Sequence, residues 1–229
     1  MIDAIQLIVT RAIRFGVTLC LIAIGASGVP SVAIADEGDS LGALWWQHAQ
    51  SIPAAQNPIA DETGAYCGIG QRGDTWFLHG SFGAMGAPYL ITRDCSAPAG
   101  RRFFLPIVNW ICLPFPGETI KENVQACRDA NDLTDTAELT IDGVPASGLI
   151  KRRAQRNPFD VTFPENNVYG VPPGSYVAVH DGYWALLPNL SPGDHTIEIV
   201  GRISAFDLYI DVTYNLTVTE AVPIDPPPP

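Results

Sequence analysis

The sequence predicts a mainly β protein: an antiparallel β-sandwich with one short N-terminal helix and one short inserted helix. Three observations predict it. Leu208, Ile210, Val212, Tyr214, Leu216 and Val218 alternate without a break against Asp207, Tyr209, Asp211, Thr213, Asn215 and Thr217, the period of a half-buried strand. Turn signals (Asp142-Gly143, Pro172-Pro173-Gly174, Asp181-Gly182 and Ser191-Pro192-Gly193-Asp194) divide the second half into short apolar runs, the rhythm of a sandwich or barrel. Four of the five cysteines, Cys67, Cys95, Cys112 and Cys127, lie beyond residue 35 at spacings too wide for a metal knuckle, the fifth being Cys20.

The elements follow in chain order. Arg11 and Arg14 precede an uncharged run from Phe15 to Ala35, broken by Gly28 and Pro30 and ending in Ala33-Ile34-Ala35. A basic flank, a short apolar stretch, a helix breaker and A-x-A form the order of a secretory signal peptide. A membrane-spanning helix needs about 20 apolar residues without such a break. The expectation is residues 1–35 as signal peptide cleaved after Ala35, 36–222 as one disulfide-stapled domain and 223–229 as a Pro-rich tail. Cleavage after Ala35 removes Cys20, and in a secreted or periplasmic setting the four cysteines that remain read as two disulfides. Of the three connectivities, Cys67–Cys95 with Cys112–Cys127 is expected, because neighbours in sequence close the shorter loops.

Leu41, Leu44, Trp45, His48 and Ile52 recur at three- and four-residue steps, so a short helix is expected there, started by Asp39 or Ser40 and ended by Pro53. Strands are expected at Thr75–His79, Tyr89–Arg93 and Phe103–Val108. The last is continuously apolar, with Pro106 demanding an edge or bulged position. Thr119 and Glu122 have capping-box spacing and begin a second helix running to about Ala130, which would turn Cys127 towards Cys112. Further strands are expected at Ala137–Ile141, Phe159–Phe163, Ser175–His180, Tyr183–Leu187 and His195–Val200, with Asp181-Gly182 read as a turn.

Thirteen Lys+Arg against 24 Asp+Glu give a net charge of −11. Such acidity argues against nucleic acid and anionic membrane surfaces, both bound through basic charge. The membrane is met only in transit, through the signal peptide. One basic cluster, Lys151-Arg152-Arg153 with Arg156, stands out. Following Gly148-Leu149-Ile150, it reads as a solvated loop, with one strand's exposed end, docking of an anionic group or docking of the protein's own acidic face as alternatives.

Several blocks resemble a diffuse group of exported bacterial proteins of unknown function. They are Trp45-Trp46-Gln47 through Ser51-Ile52-Pro53 to Asn57-Pro58, Thr63-Gly64-x-x-Cys67, Gly70-Gln71-x-Gly73-x-x-Trp76-Phe77-Leu78, Arg93-x-Cys95-x-x-Pro98-Ala99-Gly100, Asp181-Gly182-Tyr183-Trp184 and Ser191-Pro192-Gly193-Asp194-His195-Thr196. This resemblance implies export and supplies neither an activity nor a ligand. The final strands also look generically immunoglobulin-like, and a fold does not fix a function.

No motif specifies a reaction or a cofactor. His48, His79, His180 and His195 lack metal-ligand spacing, and no G-x-S-x-G elbow is present. Aromatic residues beside Gly, Asp and Asn suit sugar or polymer binding, and adjacent residues on a strand face opposite ways. One of Tyr183 and Trp184 is therefore expected to point outward. The ligand-binding candidates are Trp110, His180, Asp181, Tyr183 and Trp184, with Asp181, Asp207 and Asp211 the carboxylates to inspect for acid–base chemistry. The expectation is a secreted, non-catalytic sandwich that binds an extracellular or cell-surface polymer, glycan or protein partner, with no cofactor or metal. The alternatives are an extracytoplasmic hydrolase of glycans or esters, and a cell-envelope subunit assembling through sheet edges, the last strand being the natural edge.

Overall fold

The computed structural model describes residues 37–114 and 117–220. The expected signal peptide, its cleavage after Ala35 and the tail at 223–229 lie outside the described residues. The elements are helix α1 (Glu37–Gln50), strands β1 (Thr75–Phe77), β2 (Ala84–Met85), β3 (Leu90–Pro98) and β4 (Arg102–Cys112), helix α2 (Ile120–Asp132), and strands β5 (Thr136–Ile141), β6 (Val144–Pro145), β7 (Ile150–Phe163), β8 (Gly174–Leu187), β9 (Gly193–Ile203) and β10 (Leu208–Thr219). A first sheet has the order β1-β4-β8-β7. A second has β10 between β9 and the pair β2 and β3, continuing through β9 to β5 and β6. Pairing is antiparallel except for β1 with β4 and β3 with β10.

The sheets pack face to face, as the sequence predicts. Phe103, Leu105, Ile107, Leu187, Ile197, Ile199, Val212 and Leu216 fill the space between them. In β10, Ile210, Val212, Tyr214, Leu216 and Val218 are buried as their phase requires. The other face of the first sheet carries α1. Leu41, Trp45, Trp46 and Ala49 pack there on Phe104, Val161, Phe163, Ala178 and Trp184. The order of layers is thus helix, sheet, sheet. Helix α2 lies beside β4 and β8, on the face opposite α1, and is fastened by Cys112–Cys127.

Local chemistry fixes several elements. Thr119 accepts from the Glu122 amide at 3.3 Å while Glu122 Oε2 accepts from the Thr119 amide at 2.7 Å, so the capping box starts α2. Pro106 sits in a strand paired on both sides. The β4–β8 register shifts between Pro106 and Val108, a bulge that absorbs the missing donor. Asp142 and Gly143 both have positive φ, as a two-residue hairpin turn requires. Both disulfides pair as expected, Cys67–Cys95 and Cys112–Cys127.

Four expectations change. Helix α1 already runs at Glu37, so Asp39 and Ser40 lie within it and do not cap it. Its other end is closed by Asn57, whose amide donates to the carbonyls of Ala49 and Ile52 at 2.7 and 2.9 Å. Asp181-Gly182 is no turn but the middle of unbroken β8, paired with Trp110 and Asn109 on one side and with Ala154 and Arg153 on the other. Lys151–Arg153 is strand, not loop. Finally, β10 is no edge, because β9 and β3 flank it over most of its length.

The irregular stretch from Pro53 to Asp74 is held by side chains. Asp61 accepts from the Thr63 and Tyr66 amides, both at 2.8 Å, and Gln71 bridges Cys67 to both backbone groups of Phe77. At its centre is Arg93, 1 % exposed. Its guanidinium donates to the carbonyls of Asp61, His79, Gly80 and Ile59 at 2.6, 2.6, 3.0 and 3.2 Å and to Tyr214 Oη at 2.7 Å. Tyr214 Oη donates to the His79 carbonyl and accepts from the His79 amide. Removing that hydroxyl leaves the buried His79 amide short of its acceptor, at about 1–3 kcal/mol. Tyr214→Phe is therefore expected to lower the urea midpoint with little change in m-value; an unmoved midpoint would show that this network does not hold the stretch.

Candidate functional site

The five sequence candidates do not meet at one surface. Alternation along β8 sends His180 and Trp184 towards α1 and Asp181 and Tyr183 to the opposite face. Trp184 is fully buried, stacked on Phe104 at 5.1 Å and edge-on to Trp45 at 5.5 Å. Tyr183 is half-buried against the inter-sheet core. The outward ring expected of this pair is absent because both faces of β8 are covered. His180 is buried under α1, so close to Gly42 that a Cβ there would lie 2.4 Å from its ring. Trp110, half-buried, meets Phe206 edge-on at 6.1 Å.

Asp181 is a structural anchor. It is 2 % exposed, and Arg152 clamps it through Nε to Oδ1 at 3.0 Å and Nη2 to Oδ2 at 2.8 Å. Asn131 Nδ2 of α2 donates to Oδ1 at 3.2 Å. Arg152 also pairs with Asp132 and donates to the Arg128 carbonyl. These carboxylates hold the Arg152 pKa above its ordinary value. The basic cluster thus serves the protein's own acidic groups at Arg152, binding β7 and β8 to α2. Arg153, its neighbour, is buried, and Lys151 is exposed. The side chain of Arg156 lies outside the described residues.

The outer face of the second sheet gathers different groups. A shallow depression of about 180 Å³ lies at the β9–β10 connection, lined by Thr136, Arg202, Ser204, Asp207, Leu208 and Tyr209. A one-turn 3₁₀ helix, Ser204–Phe206, ends at Asp207 with φ of 51°, and this left-handed residue sends the chain back into β10. Cross-strand register then sets Tyr209 beside Arg202 and Arg202 beside Thr136. The guanidinium lies 5.2 Å from the Tyr209 ring centre and donates from Nη2 to Asp211 Oδ1 at 2.7 Å. Asp207 hydrogen-bonds the Tyr209 hydroxyl and raises its pKa. Two of the three carboxylates singled out in the sequence, Asp207 and Asp211, therefore do sit together, with Tyr209 between them.

Arg202 is the member that sequence reasoning missed. Its signal was cross-strand: an arginine in the outward phase of β9, opposite an outward tyrosine. At the rim, Met85 pairs with Leu208 and Leu90 with Asp211, and Met85, Tyr89 and Leu90 are each more than half exposed. The depression can therefore offer a partly covered aromatic ring, a cation, a carboxylate and two hydroxyls on rigid strand ends. Among the described residues no group of three His, Cys, Asp or Glu side chains is arranged to hold a metal.

At the other end of the sheet, His195 Nδ1 donates to Asp142 Oδ2 at 2.8 Å and Nε2 to the Ser191 carbonyl at 2.9 Å. Both ring nitrogens thus face acceptors, which suits the imidazolium and raises the His195 pKa, while Asp142 is lowered. A raised folded-state histidine pKa stabilises the fold below the unfolded value near 6.5, and this contribution is lost as pH rises through the folded value. An NMR titration should place His195 above 6.5, and Asp142→Asn should return it towards that value; an ordinary value in the wild type would refute the assignment.

No helix among the described residues is long and apolar enough to cross a membrane, and two disulfides suit an oxidising, extracytoplasmic compartment. Searches against protein families, curated proteins and solved structures return no match for this chain.

Proposed function

We propose that the protein is exported through a signal peptide cleaved after Ala35 and works outside the cytoplasm as a non-catalytic module that binds a neutral polysaccharide. The proposal keeps it with the exported bacterial group its sequence blocks resemble. The observation that carries it is the Tyr209–Arg202–Asp207 arrangement in the depression at the β9–β10 connection. A sugar ring offers an apolar face for an aromatic ring and equatorial hydroxyls for charged and hydroxyl partners. Tyr209 supplies the first; Asp207, Ser204, Thr136 and Arg202 supply the second.

Size and charge narrow the ligand. Pockets that enclose a whole small molecule run to roughly 300–1,000 Å³, so a depression of about 180 Å³ takes one unit of a longer chain. The net charge of −11 disfavours anionic polymers. Because Arg202 is already paired with Asp211, it contributes hydrogen-bonding capacity rather than an open cationic site.

The test is affinity electrophoresis of the mature chain through gels containing neutral, N-acetylated or uronate polysaccharides. Retention by a neutral gel is expected, and Tyr209→Ala and Asp207→Asn should each weaken it roughly tenfold through lost stacking and a lost charge-assisted hydrogen bond. Equal retention of wild type and both variants, or none by any gel, would overturn the reading.

A further inference from the structure

Beneath α1 lies a pair of histidines that the depression does not use. His79 is fully buried, and neither ring nitrogen has a hydrogen-bond partner among the described residues. The ring of His48, from α1, lies 5.3 Å away between centres, and its Nε2 is likewise buried and unpartnered. Trp45 lies 5.0 Å from His79 on one side, and Phe77 lies 5.4 Å from His48 on the other. Rings thus flank the pair, with His79 fully buried and His48 half-buried with its Nε2 turned inward, and every imidazole carries at least one N–H whatever its tautomer.

The charged groups around the pair are of one sign. Arg72, from the stretch before β1, acts on His48, and Arg93, from β3, acts on His79. The hydroxyl of Tyr214, from β10, is occupied with the backbone of His79. From β8, His180 lies beyond Trp45 and Trp184. On Arg93's side, Asp61 turns its carboxylate to the amides of Thr63 and Tyr66. A proton on the His79 ring would therefore be a buried cation facing the Arg93 guanidinium, and one on half-buried His48 would face Arg72, states that displacement into water relieves.

We infer that the His48–His79 pair is an acid-sensitive latch: α1 stays docked on the first sheet while both rings are neutral and lifts away when one takes a proton. Burial lowers the His48 pKa to about 4 and holds that of His79 well below the ordinary histidine value. A released histidine titrates near 6.5, so docking weakens as pH falls below that value and goes on weakening down to the folded pKa values. Release uncovers Trp45, Trp46, Phe104 and Trp184. The inter-sheet core and both disulfides have no part in this layer.

The experiment is a titration of the intact, oxidised chain from pH 7 to 3, following tryptophan emission, near-UV dichroism and far-UV dichroism. A red shift of emission with loss of the near-UV signal is expected while the far-UV strand signal persists. Removing the differential protonation makes docking more acid-tolerant. His48→Phe should therefore move the midpoint down by about one pH unit. Arg72→Gln, at an exposed position where folding is not at stake, should move it the same way by a smaller amount, because the docked His48 then accepts a proton more readily. The inference is overturned by an absent tryptophan transition, by midpoints that stay put in both variants, or by loss of strand signal in step with the tryptophans.

Discussion

The fold depends on a buried cation with no carboxylate beside it. Arg93 reaches inward from β3, in phase with Cys95 and Ala97, and spends its donors on four backbone carbonyls and the hydroxyl of Tyr214. Those carbonyls belong to two segments without regular structure, 59–61 and 79–80. Their own ladders are missing, so an arginine fork supplies the hydrogen bonds that a strand would otherwise give. Cys95, two residues on, ties β3 to Cys67 at the far end of the same stretch. Between them, the guanidinium and the disulfide turn more than twenty irregular residues into a fixed surface against which α1 is placed. Trp45 then donates from Nε1 to the Leu78 carbonyl at 2.9 Å, next to the segment that Arg93 holds.

What could be read from the sequence was whatever is decided within about ten residues. The β10 alternation, the Thr119–Glu122 box, the Asp142-Gly143 turn and the bulge at Pro106 all follow from local sterics and hydrogen bonding. Asp181-Gly182 has the same local signature as Asp142-Gly143 and the opposite fate. In the central strand β8, Gly182 is needed because a Cβ would lie 2.7 Å from Asn109 and 2.8 Å from Trp184 Nε1. Asp181 is needed because it receives Arg152 and Asn131. Trp184 apart, these demands come from Asn109, Asn131 and Arg152, about 30 to 70 positions away, so propensity yields to tertiary packing. Lys151–Arg153 was misread for the same reason, its charge being absorbed across the sheet and by α2.

The depression was legible by halves. Tyr209 and Asp211 share the outward phase of β10 with Asp207 just before it, and a single segment can be read directly. Arg202 enters through the register of β9 on β10, and Thr136 through that of β5 on β9. Register over a hairpin with a 3₁₀ turn in its loop depends on that turn's length and on the left-handed Asp207, details that composition does not show. The buried aromatics failed as surface candidates for a related reason: a sheet covered on both faces takes adjacent aromatics inward on opposite sides.

The three-layer arrangement also separates two kinds of histidine. His195 sits where both nitrogens find acceptors, so protonation strengthens its contacts. His48 and His79 sit where rings and guanidinium groups surround them, so protonation opposes their contacts. The first joins the β5–β6 turn to β9 within the second sheet; the second joins a helix to the outside of the first. Acid therefore acts on the layers with opposite signs, tightening a hairpin that belongs to the sandwich while loosening the helix that covers it. The inter-sheet core contains no histidine, and the disulfides span loop to strand and strand to α2 without touching α1. The sandwich and its helical cover thus answer to different chemistry, although one chain builds both.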